Sequence, residues 1–336
     1  MANDTLSELL GTVRLHGAVF YYVNFGQHWA VDMPAAADIA DAVMPGSEHV
    51  IEYHMMLKGT GWAHLPGQPP VRLDQGDIIV FPQGHAHFIG SAPGYQPRRD
   101  NADWVYTPPQ QPQGRPVAYH HGVFRPGMLG PAHEASAVMV CGFLGCDLRP
   151  FNPLVSALPK LLHVPQNLSS SWIGRVIDQA ALESADRRPG GNAVLQRLSE
   201  MMLVDTVRRY LESLPEDARG WLAGLRDRHL GRALALIHER PEHPWTVDGL
   251  GRAVGLSRSA LHERFSQYLG MPPSQYLAHW RIQVGSRLLR ETQRTVASIA
   301  HDVGYESEAA FSRAFRRLVG LPPAAWRRSQ RELVAA

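Results

Sequence analysis

Four side chains in the first half of the chain could together hold a metal ion. Glu52 and His54 stand two residues apart in the strand-like stretch EYHMMLKG, and side chains two apart on a strand share one face. If that face points inward, Glu52 and His54 converge with His87. Cys141, on a later strand, could complete the ligand set. Zinc accepts carboxylate, imidazole and thiolate ligands, so the sequence predicts a site for zinc or another divalent metal.

A purely structural interpretation of the same residues also stands. Buried histidines such as His54 and His87 are commonly held by hydrogen bonds, and Cys141 can pack as a small apolar side chain. Cys141 and Cys146 lie five residues apart, so a regular strand places them on opposite faces, and they are not expected to act as a pair. The sequence leaves both interpretations open.

The residues around these ligands read as strands and turns. Short apolar runs alternate with Gly, Pro and Asp over residues 15–150, which predicts a barrel or sandwich. PPVRLDQGDIIVFP predicts a hairpin with its turn at Asp74–Asp77. The region is also rich in aromatic and histidine side chains, some of which are expected to line a pocket for an organic ligand. The candidates for this pocket are Tyr22, Trp62, His64 and Trp104.

The charge of the chain is unevenly distributed. The sequence has 336 residues and a net charge of +2, yet residues 226–336 contain 17 arginines and 10 acidic residues, a net charge of +7. Residues 1–225 therefore carry −5. The basic C-terminal third indicates a module that binds a polyanion such as double-stranded DNA.

Targeting signals and membrane spans are not expected. The start MANDTLSELLGTV has no basic segment followed by an apolar run, and no stretch of about 18 apolar residues occurs. The chain has only 2 cysteines, too few for a disulfide framework. We therefore expect a cytoplasmic protein.

A helical region is predicted between the strands and the basic third, over residues 151–225. LVSALPKLLHV, SSWIGRVIDQAALESA and AVLQRLSEMMLVDTVRRYLESL show apolar residues at helical spacing. The apolar stripe of the third segment, from Leu195 to Leu211, is expected either to pack on the barrel or to form the seam of a homodimer. LVSALPKLLHV is a second candidate for that seam.

The basic third contains an internal sequence repeat. AVGLSRSALHERFSQYLGMPP begins at Ala253, and HDVGYESEAAFSRAFRRLVGLPP begins at His301. The two stretches align at an offset of 50 residues from Ser257 onward and of 49 at Gly255, since the second copy has one extra residue. They therefore indicate a duplicated supersecondary unit. The units are predicted at residues 246–270 and 295–320.

Each unit is typical of a helix-turn-helix motif. Gly255 and Gly304 end a short first helix, because glycine readily takes the left-handed conformation of a sharp turn. Ser257 and Ser307 can cap the second helix. A single helix over residues 274–291, about 27 Å long at 1.5 Å per residue, is predicted between the units. Because major-groove faces on one side of DNA repeat about every 34 Å, this helix could place the two motifs in adjacent grooves.

These residues resemble a known family of DNA-binding domains. The segment from His243 to Arg328, with the signature VGYESEAAFSRAFRRLVGLPPAAWR, resembles the DNA-binding domain of the AraC/XylS family of bacterial transcription regulators, over about residues 228–328. The resemblance assigns base contacts to Ser259, His262, Glu263, Ala309, Ala310 and Arg313. Phosphate contacts are expected at Ser257, Arg258, Arg264, Arg281, Ser307, Arg316 and Arg317.

The chemistry of some of these side chains supports the assignment. Arg313 can pair with guanine O6 and N7, Glu263 can accept from cytosine N4, and His262 can donate or accept. Two alternatives remain open: Glu263 could instead form an ion pair with Arg264 or another arginine, and Arg281 could be structural rather than a phosphate contact.

The first half resembles the cupin-type sensor domains that are fused to such regulators, over residues 10–150. The second cupin motif runs from Gly76 to His87 in GDIIVFPQGHAH. In the first motif, Glu52 occupies the position of the family's ligand glutamate. The His-x-His that should precede Glu52 is missing, and only His49 lies nearby.

The resemblance implies an α+β protein of two domains: a cupin-like barrel (1–150), linker helices (151–225) and an all-α DNA-binding domain (226–330). We expect a transcription regulator and not an enzyme, with promoter DNA, a small-molecule or metal effector and a second copy of the chain as partners. RNA polymerase is a further candidate partner. The alternative is a dioxygenase-like cupin metalloenzyme fused to a DNA-binding domain, which would need an open metal site.

Overall fold

A computed structural model describes most of the chain. The described residues are 5–12, 15–94, 115–120, 123–126, 135–165 and 191–335. Trp104 and the predicted helix SSWIGRVIDQAALESA lie outside them. The strands are β1 (Leu15–Phe25), β2 (Ala30–Met33), β3 (His49–Lys58), β4 (Gly61–His64), β5 (Val71–Leu73), β6 (Ile78–Phe81), β7 (His87–Gly90), β8 (Arg115–His120), β9 (Val123–Pro126), β10 (Ala137–Cys146) and β11 (Leu162–Val164). The helices are α1 (Thr5–Thr12), α2 (Ala36–Val43), α3 (Pro153–Ala157), α4 (Gly191–Ser213), α5 (Trp221–Arg226), α6 (Arg228–Glu239), α7 (Val247–Val254), α8 (Arg258–Leu269), α9 (Pro273–Glu291), α10 (Val296–Asp302), α11 (Glu308–Val319) and α12 (Pro323–Ala335).

The chain divides into two compact units. The sheet unit comprises residues 15–147 and 158–213, and the helical unit comprises residues 1–14, 148–157 and 214–336. The predicted linker region is thus shared between them. None of the described helices is long and apolar enough to cross a membrane.

The sheet unit has the cupin-like architecture that the sequence predicts. Seven strands form one sheet in the order β11-β6-β3-β10-β1-β8-β9, and four form a second in the order β2-β7-β4-β5. Both sheets contribute apolar side chains to one core. Its members include Phe25, Met56, Phe81, Met139 and Phe143 from the larger sheet and Val31, Ala63 and Ile89 from the smaller one. This core therefore lies between the two sheets.

The predicted hairpin PPVRLDQGDIIVFP is half right. The turn is present, since the Asp77 N–H donates to the Asp74 carbonyl and Gly76 has a positive φ of 90°. The strands on either side of it do not pair with each other. β5 pairs with β4 in the smaller sheet and β6 pairs with β3 in the larger one, so the turn carries the chain between sheets.

The predicted helix LVSALPKLLHV is also corrected. Only Pro153–Ala157 is helical, because Pro159 cannot continue a helix. The end of the segment is strand β11, which pairs with β6. Leu162 and Val164 are buried while His163 between them is only half-buried, which is the alternation of a strand.

The third predicted linker helix is confirmed as α4, which packs against β1. The buried side of α4 includes Met202, Leu203 and Val207. Val194 and Met201 point the other way and are 39% and 47% exposed. The sheet therefore covers one stripe of this helix and leaves a partly apolar face outside.

Both helix-turn-helix motifs are confirmed in the helical unit. In the first, α7 ends at Gly255, whose φ of 74° is left-handed, and the Ser257 hydroxyl accepts from the Ala260 N–H at 3.2 Å to cap α8. In the second, Gly304 has a φ of 84°, and the Ser307 hydroxyl caps α11 in the same way at 3.2 Å. Each motif has its own buried aromatic core, with Phe265 and Tyr276 in the first and Phe311, Phe315 and Trp326 in the second.

Candidate functional site

The second helix of each motif presents the side chains that were predicted to contact bases. Leu261 and Phe265 turn one side of α8 into the core, which leaves Ser259, His262 and Glu263 exposed. Since α8 is an α-helix, residues four apart such as Ser259 and Glu263 lie on one face. The first motif therefore offers a polar, uncharged or acidic surface.

The second motif presents a basic surface from the same frame. Phe311 and Phe315 are buried in the core, while Ala309 and Arg313 are exposed. The remaining predicted base contact, Ala310, is half-buried and its N–H is used by the Ser307 cap. Exposed Arg316 and Arg317 follow on the last turn of α11.

The alternative ion pair of Glu263 with Arg264 is wrong. Arg264 instead forms an ion pair with Asp227, and Asp227 caps α6 by accepting from the N–H groups of His229 and Leu230. This contact gives Arg264 a structural role in the helical unit, and its predicted phosphate contact stays a prediction. Among the described residues, Glu263 forms no ion pair and remains exposed.

Arg281 is likewise engaged within the helical unit. Its Nε donates to the Pro241 carbonyl at 2.7 Å, and its Nη2 donates to the His243 carbonyl at 2.9 Å. The guanidinium also lies 5.8 Å from the ring centroid of Tyr305. These contacts support the structural alternative, and the phosphate contact of Arg281 stays a prediction. Arg258, in contrast, is 71% exposed, and its 3.5 Å contact with Asp248 leaves it accessible.

The candidate metal ligands meet in the core of the sheet unit. Glu52 and His54 point inward from β3 in the larger sheet, and His87 points inward from the start of β7 in the smaller one. One donor atom from each of the three lies within 4.8 Å of the other two. All three side chains are buried, with residue exposures of 0–1%.

Hydrogen bonds in the cluster define its protonation. His87 Nδ1 lies 2.8 Å from the His85 carbonyl, so it carries the proton, and the Nε2 lone pair of His87 faces His54 Nε2 at 2.8 Å. Burial lowers the pKa of His87 to about 3, and burial together with the neighbouring His87 lowers the pKa of His54. Both rings are therefore neutral, which is the form that binds metal.

Glu52 is the least satisfied group of the cluster. Among the described residues, neither of its carboxylate oxygens has a hydrogen-bond partner, nor does His54 Nδ1. Burial raises the pKa of Glu52 to about 8. A bound cation would restore the carboxylate and use the orphaned oxygens, so the three residues fit a divalent metal.

Cys141 and His49 stand beside this cluster and outside it. Cys141 is directly opposite His54 on β10, but His54 reaches towards the other sheet, whereas the short Cys141 side chain packs in the apolar core. Cys141 is not among the three residues whose donor atoms lie within 4.8 Å of one another, so the structure does not bring it in as a fourth ligand. His49 Nε2 is bonded to the Pro82 carbonyl at 2.7 Å.

The structure describes two of the four side chains that were predicted to line an organic-ligand pocket, Trp62 and His64. On β4 it is Ala63 and Leu65 that enter the core, so Trp62 and His64 belong to the opposite face of that strand. There His64 stacks on Phe88 at 4.3 Å. Strand alternation in GWAHL could have shown this. The Tyr22 side chain and Trp104 lie outside the described residues.

Several supporting residues were missed by sequence reasoning. Phe81 stacks on His87 with ring centroids 3.5 Å apart, and the His85 carbonyl orients the same ring. The spacing of GHAH gives no hint of a carbonyl contact. Asp227 could have been found, since an Asp directly before an amphipathic segment is typical of a helix cap.

Sequence comparisons match the two parts of the chain to known protein families. A cupin family model matches residues 4–212, and a helix-turn-helix domain model matches residues 250–329. An AraC-like transcription regulator of Streptomyces lividans is 29% identical over 97% of this chain and 98% of its own length. A second AraC-like regulator, from Streptomyces antibioticus, is 39% identical over 52% of this chain and 58% of its own length. The transcriptional regulator AlkR of Acinetobacter baylyi is 28% identical over 94% of this chain and 95% of its own length.

The chain therefore belongs to the AraC-type, DNA-binding transcription regulators that carry a cupin domain ahead of the helix-turn-helix domain.

Proposed function

We propose that the protein regulates transcription by placing α8 and α11 in two successive major grooves on one side of a DNA duplex. The observation that carries this proposal is the duplication itself: two helices with the same cap and core expose different polar side chains. They are joined by the 19-residue helix α9, which is about 28 Å long. That length suits a groove repeat of about 34 Å.

Direct base contacts are proposed for five exposed side chains of the two helices and for the half-buried Ala310. They are Ser259, His262, Glu263, Ala309, Ala310 and Arg313. Phosphate contacts, which position the protein without reading sequence, are proposed for the exposed groups at the ends of these helices. They are Ser257, Arg258, Ser307, Arg316 and Arg317.

The direct test is selection of DNA from a random library by the full-length protein. We expect a bipartite site, and Arg313→Ala should relax selection at one base pair, which corresponds to about 1–3 kcal/mol of discrimination. Arg197→Ala removes an equally charged, 74% exposed side chain from α4 and serves as the control. A wild-type selection that yields no common sequence would contradict the proposal.

The input to the regulator is proposed to be a divalent metal, zinc being the candidate, held by Glu52, His54 and His87. Support comes from the buried, unpartnered oxygens of Glu52 and from the neutral histidine pair. Such a metal would supply a positive charge that ties the two sheets together through their facing strands. Signalling further requires that it bind one arrangement of the protein better than another.

The metal is tested by elemental analysis of untagged protein combined with native mass spectrometry. We expect about one equivalent in the wild type and under about a tenth in Glu52→Gln, which keeps the shape of the side chain. Cys141→Ala is the matched control and should keep its metal. Wild-type protein that holds less than about a tenth of an equivalent after zinc loading would contradict the site.

A route from the sheet unit to DNA is also proposed. β1 and β10 are paired, with Leu15 opposite Cys146. The residues just before β1 and just after β10 belong to the helical unit. Helix α1, before β1, packs on α6 and α9, and the Phe151 N–H, after β10, donates to Gln283 Oε1 at 2.9 Å. A change in the geometry of the β1–β10 pair would thus be transmitted to the helical unit through both of these chain connections.

A homodimer is proposed through the outer face of α4, where Val194 and Met201 are exposed. Light scattering should give twice the chain mass of 37.3 kDa. Val194→Glu combined with Met201→Glu should give monomers, and Arg208→Glu, an exposed position on the same helix, is the comparison. RNA polymerase is proposed as a further partner of the DNA-bound protein.

We propose no enzymatic activity. Two histidines and one carboxylate are also the ligand set of oxygenases that use non-haem iron, but those enzymes keep open positions on the metal. Here the three side chains lie in the core with at most 1% exposure, which argues against access by a substrate. Oxygen uptake by iron-loaded protein in the presence of small phenols would contradict this proposal.

A further inference from the structure

The entry loop of the first helix-turn-helix motif, residues 240–246 between α6 and α7, is held by Arg281 of the helix that follows that motif. Arg281 Nε and Nη2 bond the carbonyls of Pro241 and His243 at 2.7 and 2.9 Å. The loop itself is stiff, because the Trp245 indole N–H donates to the Arg240 carbonyl at 3.1 Å. One side chain therefore anchors a well-defined loop to the middle of α9.

The same guanidinium touches the turn of the second motif. Tyr305, which follows that turn, lies under the guanidinium and packs edge-on against Phe311. A Cβ added at Gly304 would lie 2.7 Å from Arg281 Nη2 and 2.7 Å from the Glu242 carbonyl oxygen. The turn of the second motif is thus in close contact with both Arg281 and the entry loop of the first.

We propose that Arg281 is a positioning residue for DNA recognition: it locks the entry loop of the first motif to the Gly304–Tyr305 turn of the second and so fixes the spacing of α8 and α11. Helix α9 alone sets only the distance between the motifs. A contact between the two motifs beside α9 also restricts rotation of one motif relative to the other. This inference rests on the proposal that both motifs bind one DNA duplex.

Arg327 provides a matched control within the same fold. It donates from Nε to the Leu289 carbonyl at 2.9 Å and from Nη2 to the Arg294 carbonyl at 2.6 Å. It therefore binds two backbone carbonyls at the entry to the second motif, as Arg281 does at the entry to the first. These two contacts of Arg327 lie within the second motif and its flanking helices, so their loss should not release one motif from the other.

The lock is tested without DNA by electron–electron distance measurements on the full-length protein. Spin labels are placed at Ser266→Cys and Arg316→Cys, exposed and equivalent positions of α8 and α11, while the native cysteines are buried. We expect a narrow distance distribution in the parent and in Arg327→Ala, and a distribution about twice as wide in Arg281→Ala and Arg281→Lys. Gly304→Ala should shift the mean distance. An unchanged distribution in both Arg281 variants would overturn the lock.

Binding to the selected DNA separates a lock from a phosphate contact. As a lock, Arg281→Ala should lose about tenfold in affinity for the bipartite site, keep its salt dependence, and tolerate one added base pair between the halves better than the wild type. Arg281→Lys should not restore this affinity. As a phosphate contact, loss of Arg281 would lower the slope of log K against log salt by about 0.9, and lysine would rescue binding. That second pattern overturns the proposal.

The two measurements fail independently. If no bipartite DNA were selected but the distance distribution widened as expected, the proposed mode of DNA binding would be wrong and the lock would stand. If bipartite DNA were selected and the distance distribution stayed narrow, the lock would be wrong and the proposed mode of DNA binding would stand.

Discussion

The two helix-turn-helix motifs have the same frame and different surfaces. Their caps, Ser257 and Ser307, and their core phenylalanines, Phe265 and Phe315, are related by an offset of 50 residues and occupy equivalent positions. At the same offset, the exposed Glu263 of the first motif corresponds to Arg313 of the second. The frame is therefore copied while the charge at this exposed position is reversed.

This difference suggests a division of labour on DNA. Ser266 and Gln267 in the first motif are replaced by Arg316 and Arg317 in the second, and all four are exposed. Arginines at the end of a helix gain affinity by neutralising phosphates, whereas a carboxylate reaches DNA only where it can accept from a base. We expect the second motif to supply most of the affinity and the first to add selectivity.

The largest expected effect tests whether the frames are equivalent. Phe265→Ala and Phe315→Ala each delete a side chain with 0% exposure from a motif core. Each should lower the free energy of unfolding of the helical unit by about 3–5 kcal/mol, measured by urea denaturation. Losses that differ by more than about 2 kcal/mol would show that the two cores are not equivalent in packing.

The next effect tests the charge difference. Replacing Arg316 and Arg317 together by alanine should weaken DNA binding about 10- to 100-fold and lower the salt slope by about 1.8. The equivalent pair, Ser266 and Gln267, should change both quantities little when replaced by alanine. Equal effects from the two pairs, measured by fluorescence anisotropy over a salt series, would remove the proposed division of labour.

An acid-sensitive group distinguishes the two cores. In the first motif His238 is buried, stacks on Trp280 at 3.6 Å and bonds Tyr276 Oη at 2.9 Å, and burial lowers its pKa to about 3. Because the folded pKa lies below the unfolded value of about 6.5, the stabilisation is present above pH 6.5 and is lost as the pH falls towards 3. The second core cluster, built on Ile299, Phe311, Phe315 and Trp326, includes no such histidine.

We therefore expect His238 to lower the stability of the helical unit by on the order of 2 kcal/mol between pH 7 and pH 5. His238→Phe, which keeps an aromatic ring against Trp280, should flatten this part of the pH profile of unfolding. His301→Phe, on the exposed surface of α10, is the control. A profile that His238→Phe leaves unchanged would exclude this histidine as the source.

The smallest effect sharpens the comparison by making the first motif resemble the second. Glu263→Arg should raise affinity for unrelated DNA a few-fold and steepen the salt slope by about 0.9. It should also relax base selection opposite α8. Glu263→Gln separates charge from shape, since it should change the salt slope less. A variant that gains affinity yet keeps full selectivity would mean that Glu263 does not read a base.

Sequence reasoning succeeded where local chemistry sets the structure and failed where partners are distant in the chain. Gly255, Ser257 and their counterparts predicted the motifs nearly to the residue, because caps and turns depend on neighbouring residues. Spacing on one strand likewise paired Glu52 with His54. The partners of Arg264 and Arg281 lie 37 and 38–40 residues away in the chain. No local sequence pattern predicts that an arginine will bind a distant backbone carbonyl.

Sheet pairing was the other weak point. The turn at Asp74–Asp77 was correct, but whether the strands on either side of a turn pair or separate into two sheets depends on the other strands. In the same way, the sequence predicted that Cys141 could complete the metal site, and the register places Cys141 opposite His54. It could not show that His54 reaches across to the other sheet.

The central claim is that the two motifs read successive major grooves on one side of DNA. Hydroxyl-radical footprinting of the full-length protein on its selected site tests this most directly. The account predicts, for each protomer, two protected segments about 10 base pairs apart on the same side of the duplex. A single protected segment for each protomer, or two segments separated by half a helical turn, would contradict it.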